Sequence, residues 1–428
     1  MRVTLLKKLL NQRNSSYSSI IEKLSRENAL PIIAILLWLF FSTIFLIPIW
    51  FDPTLAVQSD DYWLVSEWFS SSGPYPFSHF GPGFPFLIFL MRSMGIGMFG
   101  VAVILKLMVA ITGIAIYKLG RALGLTSTIA FCAATAYTIF PVTQVFSSSF
   151  FSEPPYLMLI SIGVSIIFTQ IKKPREDVSL GWLILGYGAI GLAALVRVNA
   201  SVLLIGCFII GLFTLSKKKL VVAVLIALIP VLYWSTLNWL WYGQFRLTSS
   251  GDAAIAVSIV GPVMCEREGR KYTASPTIWI DDSEIETFPS LFEYSVAVRK
   301  MAIEYAINHP GAVILGNVKG WFKSLMGPAE ARLQNIFGES SIIWIGVSLI
   351  VRATLLIGLI GFFITGGIKT QPAFAVFLCV MLIAHILTAG AAGQSRFGYP
   401  VDAFSIVALA LFVQNMLSRW RKRLTENI

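Results

Sequence analysis

Charged residues are scarce in this chain of 428 residues: they make up 13% of it, while 56% of the residues are hydrophobic. Ordinary soluble domains carry roughly 25% charged residues, so the composition excludes that class. The apolar residues fall in runs of about 17 to 25, a length that crosses a bilayer as a helix. Because these runs do not alternate as barrel strands do, the fold class that we expect is an all-α polytopic membrane protein.

Cysteine and histidine are also rare, with four and three residues. Cys132, Cys207 and Cys379 fall inside apolar runs and Cys265 falls in a long loop, so no pair indicates a disulfide framework or a metal-ligand cluster. The chain has no P-loop, no G-x-G-x-x-G after a strand, no G-x-S-x-G motif and no internal repeat. These absences argue against nucleotide-driven chemistry and against a transporter built from two symmetric halves.

The apolar runs and the basic residues between them predict ten transmembrane helices, with short Lys- and Arg-rich turns on the cytoplasmic face. This orientation accounts for the net charge of +11 without a nucleic-acid partner. No cleavage signal follows the polar N-terminal segment, so we expect the first helix to stay as an anchor. The ten helices are expected near residues 30–50, 100–119, 127–143, 154–171, 179–196, 199–215, 220–241, 342–366, 372–392 and 399–417.

Most of the 22 acidic residues fall on the opposite, outer face, where we therefore expect the chemistry. The short apolar segment 82–94 is expected as a helix lying in the outer interface. The predicted organisation is a cytoplasmic basic N-terminus at 1–29, a transmembrane catalytic core at 30–241 with an outer loop at 51–99, a second outer loop with interfacial helices at 242–341, C-terminal transmembrane helices at 342–417 and a cytoplasmic basic tail at 418–428.

Two outer loops carry the acidic residues of greatest interest. Asp60 and Asp61 directly precede Tyr62 in the first, and Glu153 precedes two prolines at the next outer turn. Asp and Glu at such positions can simply cap or begin a helix. Brought together from two loops, however, the carboxylates would form an oxygen-rich site for a divalent metal ion, Mg²⁺ or Mn²⁺ by preference, with Zn²⁺ also possible.

Cationic residues are predicted at the same depth: Lys106, Arg197, Arg352 and Arg396. Ionisable residues near or within spans usually line a cavity or a functional route. Lys106 could instead extend to the interface, as long basic side chains do. Guanidinium groups beside a metal ion would hold a phosphate group well, and His79 is a weaker candidate for the same contact.

The order of these motifs along the chain is more specific than any one of them. The motifs are Asp60-Asp61, the turn His79-Phe-Gly-Pro-Gly-Phe-Pro-Phe-Leu, Lys106, Ser152-Glu153-Pro154, Leu195-Val-Arg197-Val-Asn199 and Ser395-Arg396-Phe-Gly-Tyr399-Pro400. Together they resemble the GT-C class of membrane glycosyltransferases, in the branch of the protein O-mannosyltransferases and the bacterial aminoarabinose and Rgt-type sugar transferases.

The resemblance implies a sugar donor linked to a polyprenyl phosphate, and transfer on the non-cytoplasmic face to a glycan, lipid or protein acceptor. Compact size favours a bacterial inner membrane, with the site facing the periplasm or exterior. The implied roles are a catalytic base at Asp61, with Asp60 beside it, metal contacts from Asp60 and Glu153, donor-phosphate contacts from Arg197, Arg396, Lys106 and His79, and substrate-loop positions at Tyr62 and Tyr399. Many relatives have Asp-Glu with a Tyr two residues beyond the pair, whereas here Tyr62 follows Asp61 at once. The division of labour between the two aspartates therefore stays open.

Two other functions remain alternatives. A transporter or flippase for a lipid-linked sugar or small solute would use the same charges along a translocation route. A metal-independent glycan ligase or polymerase would instead depend on Arg267, Arg270 and His309 in the second outer loop.

Overall fold

The structure is a computed structural model that describes residues 31–57, 62–71, 74–75, 81–273, 278–280, 287–288 and 291–426. Within these ranges every regular element is helical, so the expected all-α fold of a polytopic membrane protein is confirmed. The helices are α1 (Pro31–Phe51), α2 (Gly83–Ser93), α3 (Met98–Ala122), α4 (Ser127–Ile139), α5 (Pro141–Ser147), α6 (Glu153–Ile171), α7 (Leu180–Val196), α8 (Ala200–Thr214), α9 (Lys217–Tyr242), α10 (Gly261–Glu268), α11 (Leu291–Asn308), α12 (Pro310–Met326), α13 (Glu330–Phe337), α14 (Ser341–Ile364), α15 (Pro372–Ala389) and α16 (Ser395–Glu426).

Each of the ten predicted segments falls on a described helix, but a count of ten spans is not confirmed. Seven described helices are long and apolar enough to cross a membrane, or eight if α4 and α5, which meet at a bend of 51°, form one span. The other two segments, α7 and α8, have 17 and 15 residues. A helix of 15 residues reaches only about 23 Å, less than a hydrocarbon core of about 30 Å.

The candidate spans differ in how deeply they are packed. The spanning window of α6 is 67% buried, whereas that of α1 is only 17% buried. Helix α6 therefore runs through the centre of the bundle, and α1 lies at its periphery. This matters for function because α6 begins at Glu153, one of the predicted site residues.

The second outer loop contains its own small packed unit. A π-helical segment, Ala254–Val260, and α11 share an apolar cluster that includes Val260, Tyr294 and Val298. Asp252 is buried beside them and pairs with Arg246 at 2.5 Å and with Arg299 at 2.9 Å.

In the first outer loop, α2 occupies the place of the predicted interfacial helix. The depth of α2 in the membrane stays a prediction. So does the division of the chain into the five parts given by the sequence, from the basic N-terminus to the basic tail.

Candidate functional site

A buried ion pair lies where α6 begins. The carboxylate of Glu153, which is 1% exposed, pairs with the guanidinium of Arg197 in the turn between α7 and α8. Pro154 and Pro155 fix the start of the helix and leave no N–H to be satisfied there. Within the described chain, Oε2 of Glu153 has no hydrogen-bond partner. The pair therefore has one buried carboxylate oxygen available for a ligand.

Ser152 shows that this end of α6 is not organised as an ordinary helix cap. Although Ser152 is the N-cap residue, its side chain makes no capping hydrogen bond. Its Oγ instead lies 3.4 Å from the hydroxyl of Tyr62 and 3.4 Å from Nη1 of Arg197. Tyr62 directly follows Asp61, so the chain comes from the two aspartates straight to the Glu153 end of α6. Asp60 and Asp61 themselves lie outside the described residues.

Aromatic rings and the carboxylate hold Arg197 in its charged form. The guanidinium carbon lies 5.9 Å from the ring centre of Tyr156 and 5.8 Å from that of Phe397. Burial acts to lower the pKa of Arg197, but the charge and hydrogen bond of Glu153 together with Tyr62 and Tyr156 outweigh it, so the pKa is raised from its usual value. The side chain keeps 16% of its surface exposed, so a permanent cation remains accessible beside the free carboxylate oxygen.

The glycine turn that follows His79 packs against the same place. His79 lies outside the described residues, but Gly81 is so close to the end of α7 that a Cβ there would lie 2.3 Å from the carbonyl oxygen of Leu195. Only glycine allows this approach. On the other side of the turn, Phe84 packs edge-on against Tyr62, with ring centres 4.9 Å apart. The stretches that carry the first acidic motif and the His79 motif thus converge near Arg197.

Two further arginines flank Phe151, which precedes Ser152 in the chain. The guanidinium carbon of Arg332 lies 4.7 Å from the ring centre of Phe151, and that of Arg396 lies 5.9 Å away. Arg396 also lies 5.3 Å from the ring centre of Phe397. Three guanidinium groups are therefore gathered around two phenyl rings next to Glu153.

Sequence reasoning missed Arg332. The signal that could have found it is local: in α13 and the residue before it, Ala329, Leu333 and Ile336 are buried at helical spacing. Arg332 falls within this apolar stripe, three residues after Ala329. A lone arginine on the buried face of a short amphipathic helix in an outer loop indicates a specific partner for the charge.

Arg352 has a different role from the other predicted cations. It is fully buried and pairs with Asp402 at 2.8 Å, and its Nη1 donates to the carbonyl oxygens of Ser324, at 2.9 Å, and Gly327. Its Nη2 also donates to the carbonyl oxygen of Ser395 at 3.1 Å. Arg352 is thus a structural junction between α12, α14 and α16.

The backbone on both sides of Arg396 is fixed by buried side chains. Arg352 binds the carbonyl oxygen of Ser395, and Nδ1 of His385 lies 3.0 Å from the carbonyl oxygen of Phe397. Because a carbonyl can only accept, this nitrogen of His385 carries the proton. Nε2 of the same ring lies 3.0 Å from Oγ of Ser324. Arg396 therefore lies on a short segment whose main chain is held in place on both sides.

Lys106 does not extend to the interface. It is 1% exposed, and its Nζ donates to the main-chain oxygen of Gln144 at 2.5 Å and to the side-chain oxygen at 2.7 Å. Gln144 lies on α5, just after the bend, so the lysine ties α3 to the broken helix.

Tyr399 is also buried, with its hydroxyl 3.0 Å from that of Tyr137. The predicted roles of Lys106 in phosphate binding and of Tyr399 in a substrate loop stay predictions.

Two of the three basic residues behind the metal-independent alternative, Arg270 and His309, make contacts within the second outer loop. Arg270 pairs with Glu268 at 3.1 Å and donates to the carbonyl oxygen of Ile278 at 2.6 Å. His309 packs against Tyr305, with ring centres 4.6 Å apart. These contacts describe a folded loop and do not by themselves form a site.

Of the two predicted metal ligands, Asp60 and Glu153, the described residues include only Glu153. They contain no group of three or more His, Cys, Asp and Glu side chains that could hold a metal ion. Oε2 of Glu153 fits a single oxygen ligand, since it is buried and has no hydrogen-bond partner in the described chain. The other predicted ligand, Asp60, lies outside the described residues.

A match to a known family falls on this part of the chain. Residues 78–234, less than half of the chain, match the family of dolichyl-phosphate-mannose-protein mannosyltransferases. The matched stretch contains His79, Lys106, Glu153 and Arg197, and it ends before Arg396. It confirms the resemblance to GT-C membrane glycosyltransferases that the motifs indicated.

A solved structure is also similar, at a lower level. It is the archaeal oligosaccharyltransferase AglB from Archaeoglobus fulgidus, in complex with an inhibitory peptide and a dolichol-phosphate, with 15% identity and a TM-score of 0.44. The similarity covers 92% of this chain and 52% of that one, so this chain spans about half of that protein's length. Among curated proteins, none matches this chain significantly.

Proposed function

We propose that this protein is a membrane glycosyltransferase that moves a sugar from a polyprenyl-phosphate donor to an acceptor on the non-cytoplasmic face. The observation that carries the proposal is the group formed by Glu153, Arg197, Arg332 and Arg396, located beside the point where the chain leaves Asp60 and Asp61. The family match supports a lipid-phosphate donor. The sugar and the acceptor would be selected by the second outer loop, which lies beyond the matched stretch.

The arginines suit the departure of the donor phosphate. In the transfer, the bond between the sugar C1 and the phosphate oxygen breaks, and negative charge grows on the phosphate while the sugar acquires oxocarbenium character. Arg197, Arg332 and Arg396 would stabilise this charge, because guanidinium groups bind phosphate oxygens in a bidentate manner. Their cationic form is permanent, so this stabilisation needs no proton transfer.

A carboxylate completes the reaction at the acceptor. Asp61 would take the proton of the attacking hydroxyl as its oxygen bonds to C1, and proton transfer of this kind contributes about 10²- to 10⁴-fold to a rate. Asp60 and Glu153 would hold a divalent metal ion, which supplies Lewis-acid stabilisation of the phosphate when bound. The buried, available Oε2 of Glu153 supports this assignment.

The test is Asp61→Asn in the purified protein reconstituted with a labelled polyprenyl-phosphate sugar. We expect transfer to fall by about 10²-fold or more while donor binding stays measurable. Asp52→Asn is the matched control in the same loop, because Asp52 is exposed and, within the described chain, its carboxylate accepts hydrogen bonds only from the N–H and the hydroxyl of Thr54, at 3.0 and 2.5 Å. Its activity should equal that of the unaltered protein.

Three results would contradict parts of the proposal. Near-normal turnover of Asp61→Asn would remove Asp61 as the base. Passage of an intact labelled lipid-sugar across sealed vesicles, without transfer or hydrolysis, would identify a flippase. Full activity in the presence of a strong chelator would exclude the metal ion and favour the metal-independent alternative.

A further inference from the structure

A cavity of about 510 Å³ lies at the opposite end of the bundle from Glu153. It opens between the connection from α6 to α7 and the turn from α8 to α9, and its polar wall includes Arg175, Lys217 and Lys219. Helix α6 begins at Glu153 and has 19 residues before it reaches this end, a rise of about 28 Å. The cavity is therefore separate from the candidate transfer site and lies on the side predicted to be cytoplasmic.

Two of the cations in this wall donate hydrogen bonds to main-chain oxygens, but no described acidic side chain neutralises their charge. Arg175 donates to the carbonyl oxygen of Phe213 at 3.2 Å, and Nζ of Lys219 donates to that of Val178 at 2.7 Å. The side chain of Lys217 makes no hydrogen bond within the described chain. None of these three cations forms an ion pair with an acidic residue that the structure describes. With Glu176 as the acid in the wall, the lining carries two excess positive charges.

Apolar surface adjoins this positive wall. Leu212 and Leu215 line the cavity itself. Phe213, whose carbonyl oxygen accepts from the lining residue Arg175, is 77% exposed, and Trp182, in the first turn of α7, is 51% exposed. Tryptophan at such a position is typical of the headgroup layer of a membrane. A ligand that fits both surfaces has a negatively charged head and hydrocarbon chains.

We propose that this cavity is a binding site for an anionic glycerophospholipid of the adjoining leaflet. The excess charge matches a phosphate headgroup, and the volume lies in the range of small-ligand sites, about 300 to 1,000 Å³. Basic pockets between membrane helices on the cytoplasmic side bind such headgroups. A soluble phosphate would match the charges but would leave the apolar part of the lining, Leu212 and Leu215, without an apolar partner.

The test is native mass spectrometry of the full-length protein with equal amounts of phosphatidylglycerol and phosphatidylcholine that carry identical acyl chains. The unaltered protein should retain phosphatidylglycerol preferentially. Each of Arg175→Gln, Lys217→Gln and Lys219→Gln should weaken this retention roughly fivefold, the effect of one basic residue near a charged lipid surface. Lys369→Gln, a basic residue outside the cavity and predicted on the same face, is the matched control and should change nothing.

A variant that binds the lipid more tightly separates the effect of charge from misfolding, because a misfolded protein would lose binding. Glu176→Gln removes the acidic charge from the wall and should tighten phosphatidylglycerol retention roughly fivefold. Equal retention of both lipids by the unaltered protein, or unchanged retention in the three glutamine variants, would overturn the proposal. So would displacement of the lipid by inorganic phosphate alone, because the site would then serve a soluble anion.

Discussion

The ion pair of Arg352 with Asp402 and the ion pair of Arg197 with Glu153 differ in how completely their hydrogen bonds are used. In the pair of Arg352 and Asp402, all three guanidinium nitrogens donate, to the carboxylate and to three main-chain oxygens. In the pair of Glu153 and Arg197, one carboxylate oxygen has no hydrogen-bond partner within the described chain, and the arginine keeps 16% exposure. Judged by its guanidinium nitrogens, all of which donate within the protein, the first pair is complete without a ligand, whereas the second is not. Of the two acids, only Glu153 has a carboxylate oxygen that is both buried and without a hydrogen-bond partner in the described chain.

The difference separates structure from function. Burying a charge is costly unless its hydrogen bonds are satisfied, so a complete network is what a structural junction requires. An acid that remains incomplete in a buried place needs another partner, and a bound cation or substrate can supply it. We therefore expect the two pairs to respond in opposite ways to substitution, the first by losing stability and the second by losing activity.

Arg352→Leu should have the largest effect. It leaves the carboxylate of Asp402 and three carbonyl oxygens without their donor, and breaking a buried pair in this way costs about 3–5 kcal/mol. We expect a large fall in the thermal unfolding midpoint of the purified protein in detergent.

The matched control is Arg419→Leu, because Arg419 is exposed and donates one hydrogen bond, to Thr365 at 2.9 Å. It should leave the midpoint nearly unchanged. The double variant Arg352→Leu with Asp402→Leu should recover only part of the loss, since the main-chain oxygens remain unsatisfied. An unchanged midpoint in Arg352→Leu would contradict the structural role of the pair of Arg352 and Asp402.

Glu153→Gln should show the opposite pattern. The amide keeps the size of the side chain and can still accept from Arg197, so stability should change little. Sugar transfer should fall by about 10²- to 10³-fold, the cost of removing one preorganised electrostatic contact at a reacting centre. Transfer assays on the reconstituted enzyme, together with its unfolding midpoint, measure both quantities.

Asp402→Asn is the counterpart of Glu153→Gln, with the same chemical change in the other pair. It should lose stability, and its activity per folded molecule should be retained. If Glu153→Gln unfolded the protein while its residual folded fraction stayed fully active, Glu153 would belong with Asp402 as a structural acid.

The sequence predicted the fold class and most of the converging segments, because apolar run length and local turn chemistry are strong local signals. It could not give the number of spans, since α7 and α8 read as continuous apolar runs but form short helices. Nor could it distinguish Arg352 from Arg197. Both are cations near apolar runs, and only the partner brought from α16, Asp402, makes one of them structural.

Lys106 illustrates a second limit. Its position at the outer end of α3 is compatible with a side chain that extends to the interface or one that is buried. The bend between α4 and α5 decides the matter by placing Gln144 against it, and a contact between residues 38 positions apart is not visible in local sequence. Arg332 has a local signal in the apolar stripe of α13, but its contact with Phe151, which comes from a distant loop, is likewise not visible in local sequence.

The smallest effect concerns the link between the two pairs. Segment 395–397 is held on one side by Arg352 and on the other by His385, and it carries Arg396 towards the site of Glu153. His385→Leu should free the carbonyl of Phe397 and let the guanidinium of Arg396 move. We expect kcat/KM for the donor to fall about tenfold, through a higher KM and a lower kcat, because Arg396 would hold the phosphate of the bound donor and stabilise the charge that grows on it.

His385→Gln should restore the donor KM, since its amide can donate to the same carbonyl oxygen. Thr388→Val, one turn further along α15, removes a hydroxyl that donates only within the helix and should leave both constants unchanged. A lower unfolding midpoint in His385→Leu with an unaltered KM would assign the histidine to the structural pair alone. A raised KM at an unchanged midpoint would instead show that the pair of Arg352 and Asp402 helps to position Arg396 beside the pair of Glu153 and Arg197.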